Sequence, residues 1–71
     1  MFTTDEAFQL LNQHVVKKEH IGESPSIENL GFVSGIITLN EEPEVMVKFM
    51  DELVQFTKSE FEHRIQVIEN D

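Results

Sequence analysis

Apolar residues in the first part of the chain recur at the spacing of a helix. Five side chains at i, i+3, i+4, i+7 and i+8 share one helical face: Ala7, Leu10, Leu11, His14 and Val15. Thr3 and Glu6 have the spacing of a capping box, in which the two side chains satisfy each other's backbone amides. The pattern predicts a first helix over about residues 4–20.

Cations and a glycine mark the predicted end of this helix. Lys17, Lys18 and His20 would lie in its last turn, where positive charge complements the helix dipole. Gly22 follows, and glycine readily adopts the left-handed conformation that ends many helices. We therefore interpret the lysine pair as a helix-end feature rather than as a phosphate-binding site.

A second long pattern predicts a helix over about residues 43–69. Asn40 can cap it, and Pro43 lies near its first position, where the missing N–H costs nothing. The second half of this helix narrows to one apolar stripe at near-heptad spacing: Phe61, Ile65 and Ile68. The first helix is too short to cover the stripe, so we expect a second copy of the chain to cover it.

The middle of the chain fits two interpretations. A helix over about residues 25–39 would be capped by Ser24, with Pro25 at its first position, and would pack closely against a neighbour through Gly31 and Gly35. The alternative is a strand at residues 30–39, where several residues are β-branched and glycine weakens a helix. A strand needs a partner strand, and the pattern offers no clear second strand in this chain.

The favoured fold is therefore all-α: three helices at about residues 4–20, 25–39 and 43–69, in a single small domain of residues 1–71 that forms a homodimeric helical bundle. The alternative is an α+β chain, helix–strand–helix, with residues 30–39 paired across a dimer. Five residues form the candidate interface: Phe61, Ile65, Ile68, Gly31 and Gly35.

Composition limits what such a chain can do. With 71 residues and no cysteine, it has a small core without disulfides or a cysteine-based metal site. The net charge of −9 repels phosphate backbones and anionic membranes, so nucleic acid is an unlikely partner. No apolar run approaches the ~20 residues that span a bilayer. We expect no membrane contact and a cytoplasmic location.

The sequence contains no specific motif for metal binding or catalysis. Glu60 and His63 have the Glu-x-x-His spacing used in di-metal helical bundles, but the predicted stripe places them beside the apolar seam or in water, so we interpret them as surface residues. His14 is interpreted as a partly buried, hydrogen-bonded histidine. No nucleophile motif or phosphate loop is present. The sequence predicts no enzyme, no cofactor and no metal.

Two functional hypotheses follow. The first is a small acidic protein–protein interaction module, an adaptor, regulator or chaperone-like protein that acts as a homodimer and also binds another protein. The alternative is an inhibitor or antitoxin whose carboxylates mimic nucleic-acid phosphates. Its candidate acidic patch has five members near one end of the last helix: Glu41, Glu42, Glu44, Asp51 and Glu52.

Overall fold

The computed structural model describes residues 1–20 and 29–68, and in them the chain forms an antiparallel sheet with two short helices. The elements in chain order are α1 (Thr4–Leu10), β1 (His14–Lys17), a 3₁₀ turn (Lys18–His20), β2 (Leu30–Leu39), β3 (Glu42–Phe49), β4 (Leu53–Phe56), α2 (Lys58–Arg64) and β5 (Ile65–Ile68). Across the sheet the strands follow the order β4-β3-β2-β1-β5, and every neighbouring pair is antiparallel.

The prediction of an all-α helical bundle is wrong. The segment 4–20 is α-helical only as far as Leu10 and continues as β1 and the 3₁₀ turn. The segment 43–69 contains most of β3, then β4, α2 and β5. The alternative strand at 30–39 coincides with β2, but β2 pairs with β1 and β3 of the same chain rather than across a dimer. The predicted features at Gly22, Ser24, Pro25 and Glu69 lie outside the described residues.

The capping box that begins α1 is confirmed. The Thr3 backbone amide donates to Glu6 Oε1 at 2.8 Å, and the Glu6 amide donates to Thr3 Oγ1 at 3.1 Å. The helix then ends early, because Asn12 takes a positive φ of 66° and its amide donates to the carbonyl of Val33 at 2.8 Å. This hydrogen bond attaches the chain to β2, so the residues that follow continue as β1.

A tight hairpin replaces the predicted helix cap at Asn40. Leu39 pairs with Glu42, so the loop contains only Asn40 and Glu41, whose φ values are 50° and 68°. Positive φ at both central residues is what a type I′ turn requires, and this turn matches the twist of the two strands. Pro43 is then buried near the start of β3 instead of beginning a helix.

The core lies on one face of the sheet, beneath the helices. Of the residues that the structure describes, ten apolar side chains are buried there: Phe2, Ala7, Val15, Val33, Val45, Val47, Phe49, Phe56, Phe61 and Ile65. The Phe61 ring, from α2, meets the Phe2 and Phe56 rings edge-on at centroid distances of 5.8 Å and 6.2 Å. This aromatic cluster joins the N-terminus, β4 and α2.

An ion pair between the two helices makes stability depend on pH. Lys58 Nζ lies 2.9 Å from Glu6 Oε2, and this hydrogen bond, helped by the Thr3 amide, lowers the pKa of Glu6 from 4.5 to about 2. A carboxylate with a lowered folded pKa stabilises the fold above its unfolded pKa and loses this effect as the pH falls. The same hydrogen bond raises the pKa of Lys58 above its ordinary value of 10.5. The protonated lysine therefore stabilises the fold below pH 10.5, and this stabilisation is lost as the pH rises through the raised pKa.

We predict that Glu6→Gln removes this acid-sensitive part of the stability. Glutamine still accepts the Thr3 amide in the capping box but carries no charge. The stability gap between the wild type and this variant should shrink as the pH falls from about 5 to about 2. Thermal unfolding across that range measures the gap. Glu41→Gln, at the exposed hairpin, is the control, and an equal trend in that variant would contradict the assignment to Glu6.

Candidate functional site

The face of the sheet opposite the core carries one row of side chains across all five described strands. The pairing registers join the row in the order Ile68, His14, Phe32, Lys48 and Leu53. Directly paired residues of neighbouring strands project from the same face of a sheet. The core residue Val47 adjoins Lys48 in β3, so this row faces away from the core and the two helices.

Large apolar side chains are exposed on this outer side. Phe32 is 39% exposed, Leu30 38%, Met50 51% and Leu53 54%. We call these four residues the outer apolar face. Single exposed apolar residues are normal, but a contiguous group on a monomer often marks an interaction site. His14, predicted to be partly buried on a helix, is instead exposed on β1 beside this face.

The predicted acidic patch is divided between the two ends of β3. Glu41 and Glu42 lie at the β2–β3 hairpin, and Glu44 follows, accepting a hydrogen bond from Gln55 Nε2 at 2.8 Å. Asp51 and Glu52 lie in the β3–β4 turn. β3 is about 26 Å long at ~3.3 Å per residue, so the two acidic groups flank the outer apolar face rather than forming one cluster.

The candidate interface residues do not come together as one exposed surface. Phe61 and Ile65 are buried in the core, whereas Ile68 is partly exposed on β5. Gly31 lies under Phe49, and a Cβ atom added there would be 2.6 Å from the Lys48 carbonyl oxygen; Gly35 has open space around it. The stripe that suggested a homodimer is therefore mostly internal, and homodimerisation stays a prediction without that support.

A cavity of about 520 Å³ opens between the ends of β1 and β3, strand β4, and the junction of α2 with β5. We call it the basic cavity. Ten residues line it: Lys17, Lys18, Glu19, Phe49, Glu52, Val54, Phe56, His63, Arg64 and Ile65. Sequence analysis missed it, because the cations come from opposite ends of the chain and only the pairing of β1 with β5 brings them together.

The two lysines do not end a helix, as was predicted, but take part in contacts at this cavity. Lys17 Nζ lies 3.0 Å from Glu52 Oε1 and 4.7 Å from the centroid of the Phe49 ring, a cation–π distance. Lys18 Nζ donates to the carbonyl oxygen of Glu62. Both contacts tie the end of β1 to neighbouring elements.

The described residues contain no group of three or more histidine, aspartate or glutamate side chains arranged to hold a metal ion. Glu60, from the Glu-x-x-His spacing, uses Oε1 to accept the Thr57 amide at 3.2 Å, and His63 lines the basic cavity. Within the same part of the chain, no helix has the length and hydrophobicity to cross a membrane.

Comparisons with protein families, with curated proteins and with solved structures find no match to this chain. The fold is that of a small α+β chain. In the part of the chain that the structure describes, the two helices cover one face of the sheet and no element covers the other.

Proposed function

We propose that the protein is a non-catalytic interaction module that docks on another protein through its outer apolar face. The observation that carries this proposal is the exposure of Leu30, Phe32 and Met50 on the side of the sheet opposite the two helices, with Leu53 on the same side across Lys48 from Phe32. A cytoplasmic location belongs to the same proposal, and cell fractionation would test it.

The size and surroundings of this face favour a partner with a basic rim. Five strands span about 19 Å at ~4.8 Å between neighbours, so the face alone is smaller than the ~800 Å² that each partner buries in a standard interface. Contacts must extend onto the acidic groups at both ends of β3. Opposite charge on the partner would steer association and fix its orientation.

The acidic mimic is the second candidate, and the hairpin favours it. Glu41 and Glu42 are exposed at its tip, with Glu44 two residues further along β3. In a chain of net charge −9, such a tip suits a basic surface that otherwise binds nucleic-acid phosphates. An inhibitor or antitoxin of this kind would use the acidic tip as its main contact and the outer apolar face as a secondary one.

We predict that Phe32→Ser lowers partner affinity at least about tenfold while the chain stays folded, because an aromatic residue at the centre of an interface is typical of binding hot spots. Phe8→Ser is the matched control, since Phe8 is exposed on α1, on the other side of the sheet. Enrichment from lysate with each tagged variant identifies proteins that depend on Phe32. Titration of the purified partner then measures the affinities. Equal binding by wild type and Phe32→Ser would overturn the docking proposal.

The same titration separates the two candidates. If the acidic tip is a phosphate mimic, a double-stranded oligonucleotide should displace the protein from its partner, and Glu41→Gln combined with Glu42→Gln should weaken binding more than Phe32→Ser does. Binding that survives the oligonucleotide and depends mainly on Phe32 supports the apolar module instead. Affinity should fall with rising salt in both cases, but more steeply for a mimic.

A further inference from the structure

The basic cavity concentrates positive charge in an acidic protein. Lys17, Lys18 and Arg64 are three of the chain's five lysines and arginines, and all three line this cavity. Against them stand two carboxylates, Glu19 and Glu52, which leaves three positive and two negative charges, with His63 beside them. Among the described residues that line the cavity the balance is +1, whereas the whole chain carries −9. An anion drawn to this molecule would therefore be drawn here.

Arg64 is the cation most available to a ligand. Lys17 is held by Glu52, and Lys18 donates to a backbone carbonyl. Among the residues that the structure describes, the Arg64 side chain forms no ion pair or hydrogen bond, although it is exposed in an acidic chain. Its planar guanidinium group presents a fork of donors that matches the two oxygens of a carboxylate.

The cavity has an apolar part beside its charged residues. Among the described residues that line it, Phe49, Val54, Phe56 and Ile65 are apolar. Its volume of about 520 Å³ lies within the range of small-molecule sites, which are mostly apolar with a few polar groups that fix the ligand's orientation. A ligand that fits both parts carries one anionic group and a hydrocarbon or aromatic body.

We propose that the basic cavity binds a small organic acid with an apolar body. The carboxylate group of this ligand would bind to Arg64, and its apolar body would pack against Val54, Phe56 and Ile65. A monoanion suits the site better than a phosphate dianion, because Glu19 and Glu52 add negative charge at the same rim. This site lies at the α2–β5 junction and shares Glu52 with the acidic groups that extend the docking surface. None of the four residues of the outer apolar face lines it, so either site can exist without the other.

Amide NMR on the full chain tests the proposal with three probes at low-millimolar concentration: sodium octanoate, octan-1-ol and inorganic phosphate. Octanoate should shift the amide signals around Val54 and Arg64 in a saturable way. Octanol, which has the same chain length without the charge, should bind at least about tenfold more weakly, since a charge-assisted bidentate contact is lost. Phosphate should produce no saturable shifts at these residues.

Variants assign the effect to Arg64. Arg64→Gln should weaken octanoate binding about tenfold. Lys48→Gln changes the net charge equally but lies outside this cavity, and should change binding less than about twofold. Equal binding of octanol and octanoate by the wild type, saturable phosphate binding, or no octanoate shifts at these residues would each overturn the proposal, whatever the variants do.

Discussion

Replacing Phe61 with alanine is expected to remove about half of the stability of this fold. The side chain is 5% exposed and packs edge-on against both Phe2 and Phe56. Truncating a buried phenylalanine to alanine costs about 3–5 kcal/mol, because it removes apolar burial and leaves a cavity. A domain of this length has about 4–11 kcal/mol in total at ~0.05–0.15 kcal/mol per residue. We therefore expect the urea concentration at the midpoint of unfolding to fall by about half.

Urea unfolding followed by circular dichroism measures the loss, and Phe8→Ala is the matched control. Phe8 is 59% exposed on α1, so its truncation should cost less than about 1 kcal/mol. The pair also tests where Phe61 lies. If Phe61 instead formed an exposed stripe for a second copy of the chain, Phe61→Ala would change the mass in solution more than the stability of each chain.

Gly31→Ala is expected to destabilise the fold by about 1–3 kcal/mol, the usual cost of overpacking. A Cβ atom at this position would lie 2.6 Å from the Lys48 carbonyl oxygen and 2.8 Å from the Phe49 ring. Gly31 pairs directly with Phe49 across β2 and β3, and the ring lies over the glycine. Neither the backbone carbonyl nor the buried ring can move away without disturbing the core.

Gly35→Ala is the matched control within the same strand. Nothing lies within 4 Å of a Cβ atom added there, beside the register shift between Val33 and Gly35. Losing backbone freedom in the unfolded chain should make this variant neutral or more stable by up to about 1 kcal/mol. The midpoint of thermal or urea unfolding, measured for both variants, decides the comparison.

The two glycine variants also distinguish the sheet from the helix predicted at residues 25–39. In a helix interior each glycine-to-alanine change would stabilise by up to about 1 kcal/mol, with no difference in sign between the two positions. Opposite signs support β2 and its pairing with β3. Stabilisation by both substitutions would contradict the position of Gly31 beneath Phe49.

The capping box at Thr3 and Glu6 could be predicted from sequence, because it depends only on residues three positions apart. The strand at 30–39 could be proposed for a similar reason, since it depends on β-branched residues within one short segment. Its partners could not be found in the same way. The argument that no second strand existed failed because β1, β3, β4 and β5 had been assigned to helices.

Methionines within and directly after β3 explain part of that error. In β3 the buried positions Val45, Val47 and Phe49 alternate with outward ones, as a strand requires. Yet Met46 and Met50, which point outward or follow the strand, are apolar as well. The alternation of apolar and polar residues is therefore blurred, and the same residues also fit a wide helical face.

The sequence by itself determined the charge, the small core without cysteine, the start of α1 and the β tendency of residues 30–39. Tertiary structure alone decided that Phe61 and Ile65 are internal, that the acidic residues separate to the two ends of β3, and that Lys17 meets Arg64 at one cavity. The physical reason is the range of the interactions. A cap is satisfied by neighbours along the chain, whereas each strand hydrogen bond and each cavity wall depends on a partner that sequence spacing does not specify.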